Sequence, residues 1–144
     1  MGKEIIHTDD AAPAAGAYSQ ATTDGDLVFT AGQVALTPDG DPLDSEPIEV
    51  QTERALENLE AVLEEAGTGL ENVLKTTVFL ADIDDFEAMN EVYAGYFDAD
   101  PPARSAVQAG ALPLGLAVEI EAGAAGARQP RGARRGFWGG SGRS

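Results

Sequence analysis

The spacing of apolar residues changes twice between residues 47 and 97, and this change constrains the fold more than any other feature. From Pro47 onward, apolar residues recur every three or four positions, as on one buried face of an α-helix: Ala55, Leu56, Leu59, Val62, Leu63 and Ala66. Ser45 is a plausible N-cap of this helix and Gly67 a plausible stop. The next segment, NVLKTTVFLAD, is apolar and β-branched without helical spacing, and predicts a buried strand.

The segments around this strand complete a mixed pattern. DDFEAMNEVYAGYF places Phe86, Met89, Tyr93 and Phe97 on one face of a second helix. KEIIH and GDLVFTAGQVAL predict two strands before the first helix, and residues 103–109 and 116–123 predict two more after the second. The order ββαβαββ predicts an α+β fold, with a mixed sheet and two helices on one of its faces.

The composition changes near residue 125. The final segment, GARQPRGARRGFWGGSGRS, is rich in glycine and arginine, and Phe137 and Trp138 are its only large apolar residues. Such a segment cannot bury enough apolar surface to offset the entropy lost on ordering. We therefore predict a single domain over residues 1–125 and a disordered tail over residues 126–144.

Charge is distributed unevenly along the chain. The formal net charge is −16, yet all 25 acidic residues lie at or before Glu121, whereas five of the nine basic residues follow it. Because such an acidic domain repels the phosphates of nucleic acids, we expect no nucleic-acid partner. Two lysines among so many acids fit a protein adapted to high salt, where cations screen the repulsion between carboxylates; a merely acidic mesophilic protein is the alternative.

Several classes of chemistry lack the residues that they need. The chain has no cysteine and only one histidine, His7, so a disulfide, a thiol nucleophile and a conventional zinc cluster are not expected. No phosphate-binding glycine loop is present, which argues against a nucleotide cofactor.

The N-terminus MGKEIIHTDD does not resemble a signal peptide, and no apolar run could span a bilayer, so we expect a cytoplasmic protein without membrane contact. His7 itself is expected at an exposed strand end.

Arg104 stands among small and apolar residues in PPARSAVQAGALPLGLAVEIEAGA and has two interpretations. If the last two strands are neighbours, Arg104 can form an internal ion pair with Glu119 or Glu121. Alternatively, the guanidinium faces a pocket and binds a ligand carboxylate through two parallel hydrogen bonds. The pattern of residues favours the ion pair.

The same stretch resembles the C-terminal signature of the RidA family, also called YjgF/YER057c/UK114, in its Pro-Ala-Arg-Ser, Leu-Pro and Val-Glu-Ile motifs. PAAGAYSQA, VFTAGQVAL and VLKTTVFLADIDDFEAMNEVYAGYF resemble three further segments of that family, in the same order. The resemblance covers residues 3 to about 124. It implies a chorismate-mutase-like homotrimer with ligand sites in clefts between subunits.

The resemblance also implies an activity, the hydrolytic deamination of reactive 2-imino and enamine acids to 2-oxo acids and ammonia, without a metal or organic cofactor. In that reaction Arg104 would bind the substrate carboxylate, and Glu119 would orient water and act as general base. Glu121 is a weaker candidate for the base. Tyr18 would contact substrate, and Gly32 would let the backbone approach it.

Asn90 and Ala106 complete the substrate-binding residues that the resemblance implies. Asn90 lies on the apolar face of the second helix, where an amide needs a partner, and structural support is as plausible a role as ligand contact. Ala106 and Ala31 replace a cysteine and a serine of the best-characterised bacterial pattern.

Two alternatives to the deaminase stay open. One is a non-catalytic regulatory module that binds small carboxylates, and the other is a ribonuclease, against which the acidic charge argues.

Overall fold

The computed structural model describes residues 2–126, which form two α-helices and seven strands, with three short 3-10 helices between them. In chain order these are β1 (Glu4–Ile6), β2 (Ala21–Thr23), β3 (Leu27–Thr30), β4 (Gln33–Val34), α1 (Ile48–Glu65), β5 (Val73–Leu80), α2 (Phe86–Tyr96), β6 (Ala103–Gln108) and β7 (Val118–Ala125). The tail predicted for residues 126–144 lies, from residue 127 onward, outside the described residues. Its disorder and the domain boundary before it stay predictions.

The strands form one mixed sheet. Its order is β1-β2-β3-β7-β5-β6, and β4 pairs with β7 next to β3. Among the described strands, β5 and β6 are the parallel pair, connected by α2, and the other pairs are antiparallel. Both helices pack on the same face of the sheet and against each other. The predicted α+β class, with a mixed sheet and two helices on one face, is confirmed.

Strict alternation along β7 assigns its side chains to the two faces of the sheet. The residues beneath the helices are at most 5% exposed, and these are Val118, Ile120, Ala122 and Ala124. Together with fully buried helix residues they form the core, in which each large apolar side chain contributes roughly 1.5 to 3 kcal/mol by leaving water. Glu119, Glu121 and Gly123 alternate with them and lie on the open face, where Phe29 is 57% exposed.

The helix α1 ends as predicted but begins differently. The N-cap residue is Pro47 rather than Ser45, because its extended backbone and fixed φ of −67° lead directly into the first turn. Ala66 is the C-cap, and Gly67 follows with a φ of +86°, a conformation that a side chain disfavours. The backbone N–H of Gly67 donates to the carbonyl of Glu64, so Gly67 is confirmed as the stop.

The segment GDLVFTAGQVAL contains two strands instead of the one predicted. β3 pairs with residues 123–125 of β7, and β4 pairs with residues 119–120, with a break at Ala31 and Gly32 between them. At the break, the N–H of Ala31 donates to the carbonyl of Gln20, just before β2. The sequence did not predict β2, because three residues give too few alternations to detect.

Candidate functional site

Arg104 lies on the helix-covered face of the sheet and is held by neutral groups. Its Nη1 donates to Oδ1 of Asn90 at 2.6 Å. The guanidinium carbon lies 4.7 Å from the centre of the Tyr93 ring and 5.3 Å from that of Phe86. Both distances are within the range of cation–π attraction.

The predicted ion pair between Arg104 and a glutamate is wrong. Within residues 2–126, the ion pairs are His7 with Asp9 and Arg54 with Glu57. The expectation failed because β5 lies between β6 and β7 and pairs with both, so the last two strands are not neighbours. In addition, Arg104 is aligned with buried Thr76, on the face opposite that of Glu119.

Helix α2 positions the groups around Arg104. Phe86, Asn90 and Tyr93 recur every three or four residues, so all three face the sheet beside β6. The hydroxyl of Tyr93 forms a hydrogen bond of 2.7 Å with Oγ1 of Thr76, the register partner of Arg104 in β5. Burial raises the pKa of Tyr93, and the hydrogen bond to Thr76 and the nearby charge of Arg104 oppose this rise.

A cavity of about 350 Å³ opens beside the Arg104 guanidinium, between the end of α2 and the start of β6. It is lined by Asn90, Tyr93, Ala94, Phe97, Pro101, Pro102 and Arg104. Because Asn90 occupies one edge of the guanidinium, the remaining N–H groups are the donors available to a ligand. The cavity could hold a small molecule that bears a carboxylate.

Glu119 lies on the other face, between β4 and β5. It is aligned with Val34 and with Phe79, and its carboxylate covers the backbone of Gly32. A Cβ added to Gly32 would overlap that carboxylate, so any larger residue here would have to displace the Glu119 side chain. Burial raises the pKa of Glu119 above its usual value, and repulsion from Glu121 adds to the rise.

A buried amide on α1 fixes the strand that borders Glu119. Nδ2 of Asn58 donates to the carbonyl of Val34 at 3.1 Å and to that of Leu36 at 2.9 Å. Its Oδ1 accepts from Arg54 at 3.0 Å, so the amide orientation is fixed from both ends. The sequence offered no signal for this contact, which joins positions far apart in the chain.

Tyr18 is 53% exposed and lies on the same side of the molecule as Gly32, since both border one narrow cleft. Its hydroxyl accepts from the N–H of Ala15 at 3.1 Å. The loop that carries Tyr18 is anchored by the side chain of Gln20, which is 2% exposed. The Gln20 amide accepts from the N–H of Thr8 and donates to the carbonyls of Thr8 and Ala12.

The residues expected to form one site therefore fall into two groups. Arg104 and Asn90 meet at the helix-covered face, and Ala106 follows on the same face with its side chain packed against the core. Tyr18, Gly32 and Glu119 lie together elsewhere. The structure also adds Phe86, Tyr93 and Thr76 to the first group; the helical spacing revealed the two aromatic residues, but only as core positions.

The structure also bears on His7, on metal-ligating side chains and on membrane-spanning helices. His7 is exposed after β1, with its Nε2 3.1 Å from a carboxylate oxygen of Asp9, as predicted for a strand end. Within residues 2–126, no group of three His, Cys, Asp or Glu side chains could hold a metal ion. Neither of the two helices in this range is long and apolar enough to cross a membrane.

Comparison with known proteins gives matches over most of the chain. The family profile described as Endoribonuclease L-PSP matches residues 8–126. Reactive Intermediate Deaminase A, chloroplastic, of Arabidopsis thaliana is 45% identical over 119 residues, which cover 83% of this chain and 64% of that protein. The 2-iminobutanoate/2-iminopropanoate deaminase of Rattus norvegicus is 42% identical over 120 residues, covering 83% of this chain and 88% of that protein.

A solved structure agrees with these relatives. The crystal structure of E. coli TdcF with bound serine superposes with a TM-score of 0.81 at 39% identity, covering 85% of this chain and 98% of that one. Sequence and fold thus match the same group of proteins over the described domain. The chain belongs to this family, which includes the RidA proteins that its motifs resemble.

Proposed function

We propose that the protein hydrolyses reactive 2-imino acids, such as 2-iminobutanoate and 2-iminopropanoate, to 2-oxo acids and ammonia. The observation that carries this proposal is the state of Arg104. Its guanidinium faces a cavity and is held by an amide and two aromatic rings, so its charge is available to a substrate carboxylate. The named activity of the rat relative and the serine bound to TdcF, which also bears a carboxylate, support it.

Glu119 is the proposed general base. Partial burial raises its pKa, which brings a carboxylate closer to the range in which it accepts a proton from water efficiently. Water adds to C2 of the protonated imine, forming a C–O bond while the C=N π electrons move to nitrogen, and Glu119 accepts the proton of the water. Transfer of that proton from Glu119 to nitrogen makes ammonia the leaving group. As the C–N bond breaks, the hydroxyl oxygen forms the C=O bond and its proton passes to the Glu119 carboxylate, which leaves the 2-oxo acid.

Both groups act on one substrate if the site is shared between two copies of the chain. Arg104 and Glu119 lie on opposite faces of one sheet, so one chain cannot present both to a small molecule. We propose a chorismate-mutase-like homotrimer in which Arg104, Asn90 and Ala106 of one subunit face Tyr18, Gly32 and Glu119 of the next. The open sheet face, with Phe29 57% exposed, offers apolar surface for such contacts.

The experiment measures release of 2-oxobutanoate from 2-iminobutanoate generated in situ by threonine dehydratase, in molar potassium chloride. The wild type should accelerate release, and Arg104→Ala and Glu119→Gln should each remove the acceleration. Equal rates with and without wild-type protein would contradict the proposal and favour a non-catalytic module that binds small carboxylates through Arg104.

Mixing the two inactive variants tests the shared site. If subunits exchange during refolding, mixed trimers of Arg104→Ala and Glu119→Gln contain some sites with both native groups, so part of the activity should return. Each variant refolded alone serves as the control. No recovery, with subunit mixing confirmed by mass spectrometry, would contradict a site built from two chains.

A further inference from the structure

The aromatic residues of α2 bear directly on the orientation of Arg104. The guanidinium carbon is 4.7 Å from the centre of the Tyr93 ring, closer than the 5.3 Å to that of Phe86. A guanidinium over an aromatic face is attracted by the ring and keeps its N–H groups free at the edges. One of these edges is bonded to Asn90, so the ring and the amide together fix the direction of the others.

Tyr93 is itself held in place. Its side chain is 4% exposed, and its hydroxyl is bonded to Thr76, which is fully buried. Its ring also packs against Phe97, with 4.7 Å between ring centres. Thr76 lies on β5 directly beside Arg104 of β6. The hydrogen bond to Thr76 therefore holds the Tyr93 ring next to the position of Arg104 in the sheet.

These contacts orient the guanidinium without neutralising it. Asn90, Tyr93 and Phe86 are uncharged at neutral pH, whereas a carboxylate in the same place would compete with any anionic ligand. We propose that Tyr93, fixed by Thr76, is a positioning residue that preorganises Arg104 to bind a carboxylate. The inference rests on the proposed function for the role of Arg104 and adds Tyr93 to it.

The test is a double-mutant cycle of Tyr93→Leu and Arg104→Ala, with binding of 2-oxobutanoate measured by titration calorimetry. Tyr93→Leu should weaken binding about five- to tenfold when Arg104 is present, as expected for loss of a partly buried cation–π contact. In the Arg104→Ala background it should have no further effect. Tyr93→Phe, which keeps the ring, should bind within about threefold of the wild type.

Tyr96→Leu is the matched control, since it removes a tyrosine of the same helix that contacts Glu57 instead of Arg104. It should leave 2-oxobutanoate affinity unchanged. Equal loss from Tyr93→Leu with and without Arg104, or no loss at all, would overturn the inference and leave Tyr93 a packing residue. If Tyr93→Leu does not fold, Tyr93→Met, which fills more of the space of the ring without an aromatic face, replaces it in the cycle and is decided by the same coupling.

Deamination is not part of this readout, so the two proposals can fail separately. An Arg104→Ala variant that binds 2-oxobutanoate as tightly as wild type would refute the carboxylate contact and the role of Tyr93 together. A protein that shows the coupling but no turnover would refute only the deaminase, and the positioning role would stand.

Discussion

Arg104 and Glu119 lie on opposite faces of the sheet, and β5 separates their strands by pairing with both. Each residue is therefore supported by its own neighbours, an amide and two rings for Arg104 and a glycine backbone for Glu119. Substitutions beside Arg104 should change the binding of carboxylate ligands. Substitutions beside Glu119 should instead change turnover.

Replacing Gly32 with alanine should displace the Glu119 carboxylate, because the new Cβ would overlap it. A displaced base no longer orients water, so we expect kcat for 2-iminobutanoate to fall at least about tenfold, with a smaller change in KM. Gly95→Ala is the matched control, since no atom lies within 4 Å of the added Cβ. A Gly32→Ala enzyme with wild-type kcat would show that the position of Glu119 is not important for turnover.

Asn90→Asp should strongly weaken carboxylate binding while leaving the fold intact. The guanidinium of Arg104 now donates to the neutral amide oxygen of Asn90; a carboxylate in its place would form an ion pair with the guanidinium and repel an anionic ligand. We expect affinity for 2-oxobutanoate to fall by about 100-fold, or about 2.7 kcal/mol. Asn72→Asp adds the same charge away from Arg104 and should bind normally; equal affinities of the two variants would contradict the proposed carboxylate site.

Glu119→Gln should increase stability at neutral pH. The pKa of Glu119 is raised by burial and then by Glu121, so the folded state holds this proton more tightly than the unfolded state. Stability is therefore lost as pH rises from the usual carboxyl pKa through the raised value, and a glutamine avoids this loss. The gain at pH 7 should be below about 1 kcal/mol, because the group is partly exposed, and it should vanish below about pH 4.

Chemical denaturation at pH 7 and at pH 4 measures this difference. Glu4→Gln, which removes one negative charge at an exposed position of β1, controls for the change in net charge. A stability gain for Glu119→Gln that is the same at both pH values would show that ionisation of Glu119 is not its cause.

Gln20→Ala should destabilise the protein by about 2 to 3 kcal/mol, because it leaves three buried backbone groups without their partner. Urea denaturation measures the loss. Gln108→Ala is the control, since Gln108 accepts one exposed backbone hydrogen bond from Ile83, and it should cost much less. Equal costs would mean that water replaces the amide at residue 20.

Added potassium chloride should stabilise the protein, because the chain has a formal net charge of −16 and salt screens the repulsion between its carboxylates. Repulsion acts on Glu60 of α1, whose pKa is raised by burial and then by Glu64 and Glu57 of the same helix and by Glu71, which follows it. The Debye length falls from about 10 Å at 0.1 M salt to about 3 Å at 1 M, which screens this repulsion. The midpoint of thermal unfolding should rise with salt, and less steeply in a Glu60→Gln, Glu64→Gln variant. A midpoint independent of salt would show that repulsion between these carboxylates does not limit stability.

Local patterns predicted most of the fold. The spacing of Leu56, Leu59 and Leu63 located α1, and the alternation around Ile120 located β7. The sheet order could not be predicted, because it depends on which strands pair across long loops, and β5 inserts between the two strands that are consecutive in the sequence. That insertion turned the expected ion pair of Arg104 into a contact with Asn90.

For the candidate site, the sequence indicated residues but not how they are arranged. The motifs pointed to Arg104 and Glu119, but alternation within each strand does not tell whether two strands share a face. Tyr93 appeared only as an apolar position, because the same helical spacing serves a core residue and a residue beneath a guanidinium. The partners of Gln20 and the two acceptors of the Asn58 amide N–H groups belong to the backbone, which leaves no pattern in a sequence.

The parallel pairing of β5 and β6 also gives the residues around Arg104 and those around Glu119 different distances along the chain. Arg104, Asn90 and Tyr93 all belong to the continuous β5–α2–β6 unit over residues 73–108, so their contacts form with short loop closures. The contact of Gly32 with Glu119 joins segments near opposite ends of the domain and costs more chain entropy to form. The group around Arg104 can thus assemble as a local βαβ motif, whereas the group around Glu119 is completed only when the long-range pairings of the sheet are made.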